Sequence, residues 1–326
     1  MTASAFRGSR RRIRRSHVAV AGCAVAALCV VGAAPAVTGD GESGAKPTIV
    51  LVHGAFADGS SWNGVIERLE RHGYTVMAPA NPLRGLYSDS TYITSVLKSI
   101  KGPIVLAGHS YGGAVISTAA AGNSQVRSLV YISALMPDVG ESGMSLAARF
   151  PSALATATKS VPYRAGGGAG GTDLYLKRDK VHPVFAACLP ASEANLLGVT
   201  QRPAATTAFS ETAKVAAWKT IPSWALVGRQ DMTINPDQER FQAKRAHSHT
   251  IEINSCHVSL IAHPEAVADL ILHAATAAEP ARPTLANTGS AGSTRNVSGF
   301  GGITGASLTT GSAAVLLSRR LRRHTH

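Results

Sequence analysis

A serine between two glycines is the residue of this chain best suited to covalent chemistry. Gly108, Ser110 and Gly112 form a Gly-x-Ser-x-Gly pattern between an apolar run and a helical segment rich in small residues. A serine at such a strand-to-helix turn is exposed for nucleophilic attack, and the flanking glycines relieve crowding of the backbone. The pattern alone is common, but in this context it predicts Ser110 as a nucleophile rather than an inert serine in a glycine-rich turn.

A serine hydroxyl is a weak nucleophile at neutral pH, so the chain must also supply a base and a group that orients it. Of the twelve histidines, His257 is the predicted base. It follows the last predicted strand, which places it at the same edge of the sheet as Ser110. A carboxylate must hold the histidine tautomer, and Asp231 follows the fifth predicted strand. The order Ser110, Asp231, His257 suits this arrangement. Asp138, after the fourth predicted strand, is the alternative acid, or else the cap of a helix.

A tetrahedral intermediate formed on Ser110 would need two hydrogen-bond donors for its oxyanion. The backbone N–H of Tyr111, directly after the nucleophile, is the first expected donor. The second should come from the loop after the first predicted strand, and there the N–H of Ala55 is the preferred choice. The N–H of Phe56 is the alternative.

Strands and helices that alternate along the chain would position these residues. The predicted strands are Ile49–Val52, Tyr74–Met77, Ile104–Ala107, Leu129–Ile132, Ser223–Val227 and Thr250–Ile253. The predicted helices lie near Ser61–His72, Ser90–Ile100, Gly112–Ala121, Pro236–Ala246 and Pro264–Ala275. Short β-branched runs between amphipathic helices are typical of a parallel sheet covered on both faces. The sequence therefore predicts an α/β fold with a mainly parallel six-stranded sheet over residues 46–277.

One interval, residues 137–220, interrupts the alternation. It has scattered prolines and a glycine-rich stretch at Gly166–Gly171, and it shows no second core pattern of similar strength. We expect an inserted, partly helical cap above the sheet, of the kind that shapes substrate pockets. Residues 278–284, with prolines at 280 and 283, are expected to form a linker.

The N-terminal segment has the features of an export leader. Six arginines precede the apolar run Val18–Val31, and Ala34–Ala36 has the small-x-small pattern that signal peptidase cleaves. We expect a signal peptide over residues 1–36, because about 14 apolar residues are short of the roughly 20 that span a bilayer. A retained membrane anchor is the alternative. Ser9–Ile13 also resembles a twin-arginine signal, which leaves the export route open.

The C-terminal segment, residues 285–326, has three parts in a fixed order. Leu285–Gly289 reads LANTG, a Gly/Ser-rich and weakly apolar stretch follows, and Arg319–Arg323 is basic. This order resembles the LAxTG-type sorting signals of high-GC Gram-positive bacteria. The resemblance implies that sortase joins the chain to cell-wall peptide, so that the protein is cell-wall anchored or extracellular. A disordered Gly/Ser tail is the alternative.

Charge and cysteine usage both depend on these terminal segments. Residues 1–36 and 290–326 hold eleven arginines and no acid, so removing them from the formal charge of +13 leaves +2. A domain so near neutrality gives no electrostatic reason to expect nucleic-acid binding, and membrane contact is expected only for the precursor. Outside the leader only Cys188 and Cys256 remain, and a disulfide between them is allowed outside the cytoplasm but not required.

With these residues placed, residues 48–275 resemble the α/β-hydrolase superfamily. The resemblance is greatest to the branch of plant methylesterases, hydroxynitrile lyases and small bacterial esterases, and it is carried by His53–Phe56, Trp62, Gly108–Gly113, Met136–Asp138 and His257. It implies hydrolysis of carboxylic esters through an acyl-serine, without a metal or an organic cofactor. Lyases of that branch have a threonine where this chain has Gly54, so lyase activity is not expected.

The sequence as a whole predicts an exported serine hydrolase that cleaves small-molecule carboxylic esters or lactones. A catalytically silent hydrolase fold displayed at the surface as a binding module is the alternative from another class. Perhydrolase or acyl-transfer chemistry with the same three residues is a further alternative. The sequence does not distinguish simple esterases from lactonases or perhydrolases.

Overall fold

The structure, a computed structural model, describes residues 45–164, 168 and 170–279. The predicted signal peptide and sorting signal lie outside the described residues, as do residues 280–284 of the predicted linker. These three assignments stay predictions. No helix in the described part of the chain has the length and apolar character needed to cross a membrane.

The strands of the described residues form two separate sheets. They are β1 (Thr48–Val52), β2 (Val76–Met77), β3 (Ile104–His109), β4 (Val126–Ile132), β5 (Thr158–Arg164), β6 (Gly170–Leu176), β7 (Ala204–Ala205), β8 (Ser223–Gly228) and β9 (His249–Ile253). Six of them pair in parallel in the order β2-β1-β3-β4-β8-β9, and β5, β6 and β7 pair antiparallel. The predicted six-stranded parallel sheet is therefore confirmed.

The central strands are apolar along their whole length because both faces of the sheet are covered. Every residue of β3 and of β8 is buried, and β4 is buried except at Arg127. A strand with helices on both faces needs apolar side chains at successive positions, not only at alternate ones. This is why these strands could be recognised in the sequence as short continuous apolar runs.

Eleven helices are present in the described part of the chain. They are α1 (Asn63–Arg71), α2 (Leu86–Lys98), α3 (Tyr111–Ala119), α4 (Gly143–Arg149), α5 (Leu154–Ala157), α6 (Arg178–Lys180), α7 (Ala191–Thr200), α8 (Thr206–Ser210), α9 (Pro236–Arg245), α10 (Ser259–Ala262) and α11 (Pro264–Ala278). Short 3₁₀ helices at Gly59–Trp62 and Ala217–Lys219 and a π-helical turn at Val181–Phe185 complete the set. The five predicted helices correspond to α1, α2, α3, α9 and α11.

The interval between β4 and β8 is partly helical, as expected, but it also contains the antiparallel sheet. The β5–β6 hairpin was not predicted because its sequence carries no clear strand pattern. Strand β5 is exposed at most positions and includes Pro162, and β6 begins with Gly170 and Gly171. Because β5 buries no residue and β6 buries only Asp173 and Leu176, there is no alternation of apolar and polar residues to recognise.

Parallel pairing brings the carboxyl ends of several strands to one edge of the main sheet. Val52 at the end of β1 pairs with Gly108 of β3, and Gly228 of β8 pairs with Ile253 of β9. The loops after these strands carry most of the chemically capable side chains named above. This edge is where ligands bind in open sheets of this kind.

Candidate active site

Ser110 occupies a strained turn between β3 and α3. Its backbone dihedral angles, a φ of 53° and a ψ of −125°, lie outside the regions that residues other than glycine favour. The turn is possible because its neighbours lack a Cβ: one added at Gly108 would lie 2.6 Å from the carbonyl oxygen of Gly112, and one added at Gly112 would lie 2.3 Å from that of Val52. The turn therefore presents Ser110 at the carboxyl edge of the sheet.

The loop after β1 also approaches this serine closely. A Cβ added at Gly54 would lie 2.6 Å from Cβ of Ser110 and 2.9 Å from the carbonyl oxygen of His109. Real Cβ atoms do not make contacts this short, so any residue larger than glycine would force the two loops apart. The threonine of the lyases therefore does not fit at position 54 in this structure.

His257 and Asp231 form a buried pair. Nδ1 of His257 lies 2.6 Å from Oδ2 of Asp231, and both side chains are fully inaccessible to solvent. The other carboxylate oxygen, Oδ1, accepts the N–H groups of Thr233 at 2.7 Å and Ile234 at 2.9 Å. A carboxylate accepts but does not donate, so Nδ1 of His257 carries the proton and Nε2 is left with a free lone pair.

The alternative acid, Asp138, is engaged elsewhere. Its carboxylate pairs with Nζ of Lys219 at 2.5 Å and accepts the N–H of Val139 at 2.6 Å. It faces the end of the cap and not His257. Of the two candidate acids, Asp231 is the one that the structure brings to the histidine.

The ring of His257 packs against two other rings. His109 packs against it at a centroid distance of 4.7 Å, and Phe185 from the cap packs at 5.2 Å. Nε2 of His109 donates to the carbonyl oxygen of His257 at 3.0 Å. Nε2 of His257 is buried and has no hydrogen-bond partner among the described residues, so the bond to Oγ of Ser110 is not formed in this geometry.

His109 is the variable residue of the Gly-x-Ser-x-Gly pattern, and no role is predicted for it from the sequence. Burial lowers the pKa of His109 well below its usual value, and the nearby His257 lowers it further. A neutral His109 can keep its Nε2 proton for the carbonyl of His257 over the physiological pH range. The residue beside the serine thus fixes the loop that carries His257.

The loop after β1 is fixed by His53. Nδ1 of His53 donates to the carbonyl oxygen of Gly54 at 2.9 Å, and Nε2 accepts the N–H of Asn81 at 2.9 Å. Burial lowers the pKa of this histidine, in keeping with the neutral ring that this pair of bonds requires. His53 therefore supports the conformation of the next two residues, Gly54 and Ala55.

The two expected oxyanion donors are both near Ser110. Ala55 lines the same cavity as the serine, and its N–H makes no hydrogen bond in the described part of the chain. The N–H of Phe56 is already used, because it donates to the carbonyl of Arg202 at 3.0 Å. Tyr111 is the first residue of α3, so its N–H has no partner within the helix.

The side chain of Tyr111 is anchored on the far side of that helix. Its hydroxyl donates to Oδ2 of the buried Asp89 at 2.8 Å, and Asp89 also accepts the N–H of Arg84 at 3.1 Å. Burial raises the pKa of Tyr111 well above its usual value, and the charge of Asp89 adds to the effect. The hydroxyl therefore stays protonated and holds the start of α3 in place.

A disulfide joins the cap to the loop of His257. Cys188 and Cys256 are bonded across 68 residues of sequence, and the N–H of Cys256 lies 3.3 Å from the sulfur of Cys188. The sequence allowed this disulfide but did not require it. Because Cys256 directly precedes His257, the bond attaches the histidine loop covalently to the cap.

A second buried carboxyl group, Glu239 of α9, lies behind Asp231. It is 3% exposed, and its Oε2 accepts the N–H of Gly228 at 3.2 Å, while the N–H of Asp231 donates to the carbonyl of the same glycine. Burial raises the pKa of Glu239 well above its usual value, and the charge of Asp231 and a hydrogen bond with it raise it further. Burial beside the charge of Asp231 therefore favours the neutral form of Glu239.

A cavity of about 230 Å³ opens onto Ser110 beneath the cap. Its walls are mainly apolar and come from both the sheet edge and the cap; they include Ala55, Phe56, Met144, Leu154 and Phe209. None of the described residues that line it carries a charged side chain. In the described residues no group of three or more His, Cys, Asp or Glu side chains is arranged to hold a metal ion. The chemistry that this arrangement offers is attack by a serine on an uncharged, largely apolar substrate.

Comparison with known proteins identifies the family. A sequence profile of the Alpha/beta hydrolase family matches residues 49–270. The chain belongs to this family. The hydrolase is 26% identical over 254 residues to the alpha/beta hydrolase nvfD of Aspergillus novofumigatus, a match that covers 71% of this chain and 97% of the relative. It is 35% identical over 110 residues to the carbendazim hydrolyzing esterase of a Nocardioides species, covering 30% of this chain and 46% of the relative.

Solved structures share the fold of the hydrolase. Polyneuridine aldehyde esterase superposes with a TM-score of 0.62 at 18% identity, over 70% of this chain and 99% of the other. A methylesterase from Arabidopsis superposes with a TM-score of 0.59 at 16% identity, over 71% and 99%. The predicted α/β-hydrolase fold is thus confirmed, and plant methylesterases are among its structural neighbours, as the resemblance implied.

Four features of the site were not predicted from the sequence. They are the support given by His109, the ring of Phe185 against His257, the buried Glu239 and the disulfide. Phe185 lies in the interval that the sequence predicts as a cap, where an apolar residue normally packs within the cap itself. For Glu239 a weak signal exists, since it lies four residues before Ala243 and thus on the buried face of α9.

Proposed function

We propose that this hydrolase is an exported serine esterase or lactonase that works through an acyl-serine intermediate. One observation carries the proposal: His257 is hydrogen-bonded to a buried Asp231 through Nδ1, keeps Nε2 free, and packs against His109, the residue directly before a serine held in a strained turn. A base with this tautomer can take a proton from a serine hydroxyl. Catalytic hydrogen bonds of this kind often form only when substrate is bound.

In the proposed reaction Oγ of Ser110 attacks the carbonyl carbon of the ester while Nε2 of His257 takes the hydroxyl proton. Asp231 stabilises the imidazolium that forms, and the N–H groups of Ala55 and Tyr111 receive the oxyanion. When the intermediate collapses, the C–O bond of the ester breaks and the imidazolium gives its proton to the leaving alcohol. Water then attacks the acyl-serine with the same base and releases the carboxylic acid.

Sequence relatives and structural neighbours support the substrate class. The Nocardioides relative is named an esterase, and the two structural neighbours described above are an esterase and a methylesterase. The apolar and uncharged cavity supports a neutral ester over a charged one, since burying an unpaired charge is costly. A lactone is an ester closed into a ring and would react by the same steps.

Export and attachment to the cell wall are supported by the two ends of the sequence. The leader over residues 1–36 and the LANTG signal over residues 285–326 are consistent with each other. The disulfide between Cys188 and Cys256 supports an oxidising compartment, where such bonds persist. In this proposal sortase and cell-wall peptide are partners of the precursor.

Labelling with a fluorophosphonate tests the nucleophile directly. We expect the full chain to be labelled and to hydrolyse p-nitrophenyl esters, with an optimum chain length set by the cavity. Ser110→Ala should lose both properties, whereas Ser99→Ala, an exposed serine at the end of α2, should keep both. A well-folded wild-type chain that takes no label would instead favour the catalytically silent binding module.

A further inference from the structure

The cavity beside Ser110 contains a buried amide group that the proposed reaction does not use. Gln238, on α9, lines the cavity and is 2% exposed. Its Nε2 is buried and has no hydrogen-bond partner among the described residues. Most buried polar side chains are paired, so an unpaired amide in a cavity calls for a ligand.

The next turn of the same helix provides an internal comparison. Gln242 is also buried, but its Oε1 accepts the N–H of Met136 at 2.7 Å and its Nε2 donates to the carbonyl of Ala134 at 3.3 Å. Gln242 thus joins α9 to the loop after β4. Gln238 makes no such bond, so joining structural elements does not account for its presence.

Two other polar side chains of the cavity wall are engaged with backbone carbonyl groups. The hydroxyl of Ser152 donates to the carbonyl of Thr233 at 2.8 Å, and the hydroxyl of Thr233 donates to the carbonyl of Val184 at 2.8 Å. Among the described side chains that line the cavity, the Nε2 group of Gln238 is the one that is both fully buried and unpaired, in a wall that is mainly apolar. A purely hydrocarbon group in this cavity would leave that donor desolvated and unpaired, which is unfavourable.

We propose that Gln238 is a specificity-determining residue that donates a hydrogen bond to a neutral oxygen acceptor on the substrate. The favoured substrate is then an apolar ester or lactone with a second uncharged oxygen, such as a ketone, an ether or another ester carbonyl, in the group that enters the cavity. This inference rests on the proposed function. A cavity of about 230 Å³ has room for roughly seven water-sized groups, enough for a short chain with one such oxygen.

Pairs of esters that differ only in the acceptor test the proposal. For an acyl group in the cavity, the pairs are p-nitrophenyl 4-oxohexanoate with 4-methylhexanoate, and 5-oxohexanoate with 5-methylhexanoate. For an alcohol group, the pair is 3-oxobutyl acetate with 3-methylbutyl acetate. Each pair has equal numbers of non-hydrogen atoms, so the ratio of kcat/KM values isolates the effect of the acceptor.

The ratio is measured for the full wild-type chain and for Gln238→Met, which keeps the length of the side chain but cannot donate. We expect the oxo-to-methyl ratio of at least one pair to fall tenfold or more in the variant, mainly through activity on the oxo ester. Gln238→Met should also raise Tm, because it removes an unpaired polar group. Gln125→Met, before the amino end of β4, is the control and should leave the ratio unchanged.

Several outcomes would overturn the inference. An oxo-to-methyl ratio that stays within twofold of wild type for every pair, in a variant that still takes the fluorophosphonate label, would remove the role of Gln238 and leave the esterase proposal intact. Absence of labelling and of ester cleavage in the wild type would overturn both. If Gln238→Met does not fold, Gln238→Leu serves for the same comparison.

Discussion

Two loops of this hydrolase each carry an aspartate just after a strand of the main sheet, yet their environments differ. Asp138 follows β4, pairs with Lys219 and keeps 26% of its side chain exposed. Asp231 follows β8, is fully buried, and accepts bonds from His257 and from two backbone N–H groups. The sheet edge alone does not select the acid.

The difference lies in the element next to each loop. Strand β9 pairs with β8 and not with β4, so the loop that carries His257 passes beside Asp231. The N–H of Gln230, directly before Asp231, donates to the carbonyl of Ser255 at 3.0 Å, which joins the two loops. Strand order thus decides which carboxylate can orient the histidine, and three measurements can break or sharpen this conclusion.

The largest effect is expected from removing the charge of the buried aspartate. Asp231→Asn should lower kcat for a p-nitrophenyl ester by about 10⁴-fold, because an amide no longer holds the required tautomer of His257. Asp138→Asn, the matched control, should stay within about twofold of wild type. Steady-state kinetics at pH 7 to 8 measures both. A larger loss in Asp138→Asn than in Asp231→Asn would reverse the assignment.

The main sheet and the turn that carries Ser110 could be predicted because the sequence patterns that indicate them are local. The run from Ile104 to Gly113 holds a buried strand, a turn that needs glycine and the start of a helix, all in ten consecutive residues. The loop after β1, which carries the expected oxyanion donor Ala55, also directly follows a strand that could be recognised in the sequence. For such segments, neighbours in the sequence determine most of the conformation.

The features that could not be predicted depend on contacts between distant parts of the chain. His109 meets the carbonyl of His257, 148 residues away, and the disulfide spans 68 residues. Gln238 and Glu239 lie in a polar helix segment, where a glutamine and a glutamate are normally solvated, and only the cap and the loop after β8 bury them. In the β5–β6 hairpin, β5 buries no residue and β6 buries only Asp173 and Leu176.

An intermediate effect is expected from the disulfide, which attaches the loop that carries His257 to the cap. Replacing Cys188 and Cys256 with alanine should lower the free energy of unfolding by about 2 to 4 kcal/mol, because the unfolded chain loses a long covalent loop. It should also lower kcat, since the histidine loop is no longer attached to the cap. Urea unfolding and ester kinetics measure the two effects, and wild type under reducing conditions should match the variant. Unchanged stability and kcat would show that noncovalent contacts such as His109 suffice.

The smallest effect concerns Glu239, the buried neighbour of Asp231. Its pKa is raised above 4.5 in the folded chain, so the folded state binds more protons than the unfolded state between the ordinary and the raised pKa. Within that window wild-type stability falls as pH rises, by on the order of 1 kcal/mol per pH unit. The glutamine of Glu239→Gln cannot ionise, so the stability of this variant does not fall with pH for this reason. Its stability relative to wild type should therefore increase from pH 5 to pH 8 in urea unfolding.

A surface carboxylate supplies the control for this last measurement. Glu252 is hydrogen-bonded to Arg240, which lowers its pKa, so its contribution to stability changes only below its ordinary value of 4.5. The stability of Glu252→Gln relative to wild type should accordingly be constant between pH 5 and pH 8. A flat difference for Glu239→Gln as well would mean that Glu239 is charged in the folded chain. Two negative charges, those of Asp231 and Glu239, would then lie on the same side of His257. The burial of Asp231 and the order of the strands would no longer be enough to explain why Asp231 is the charged partner of the histidine.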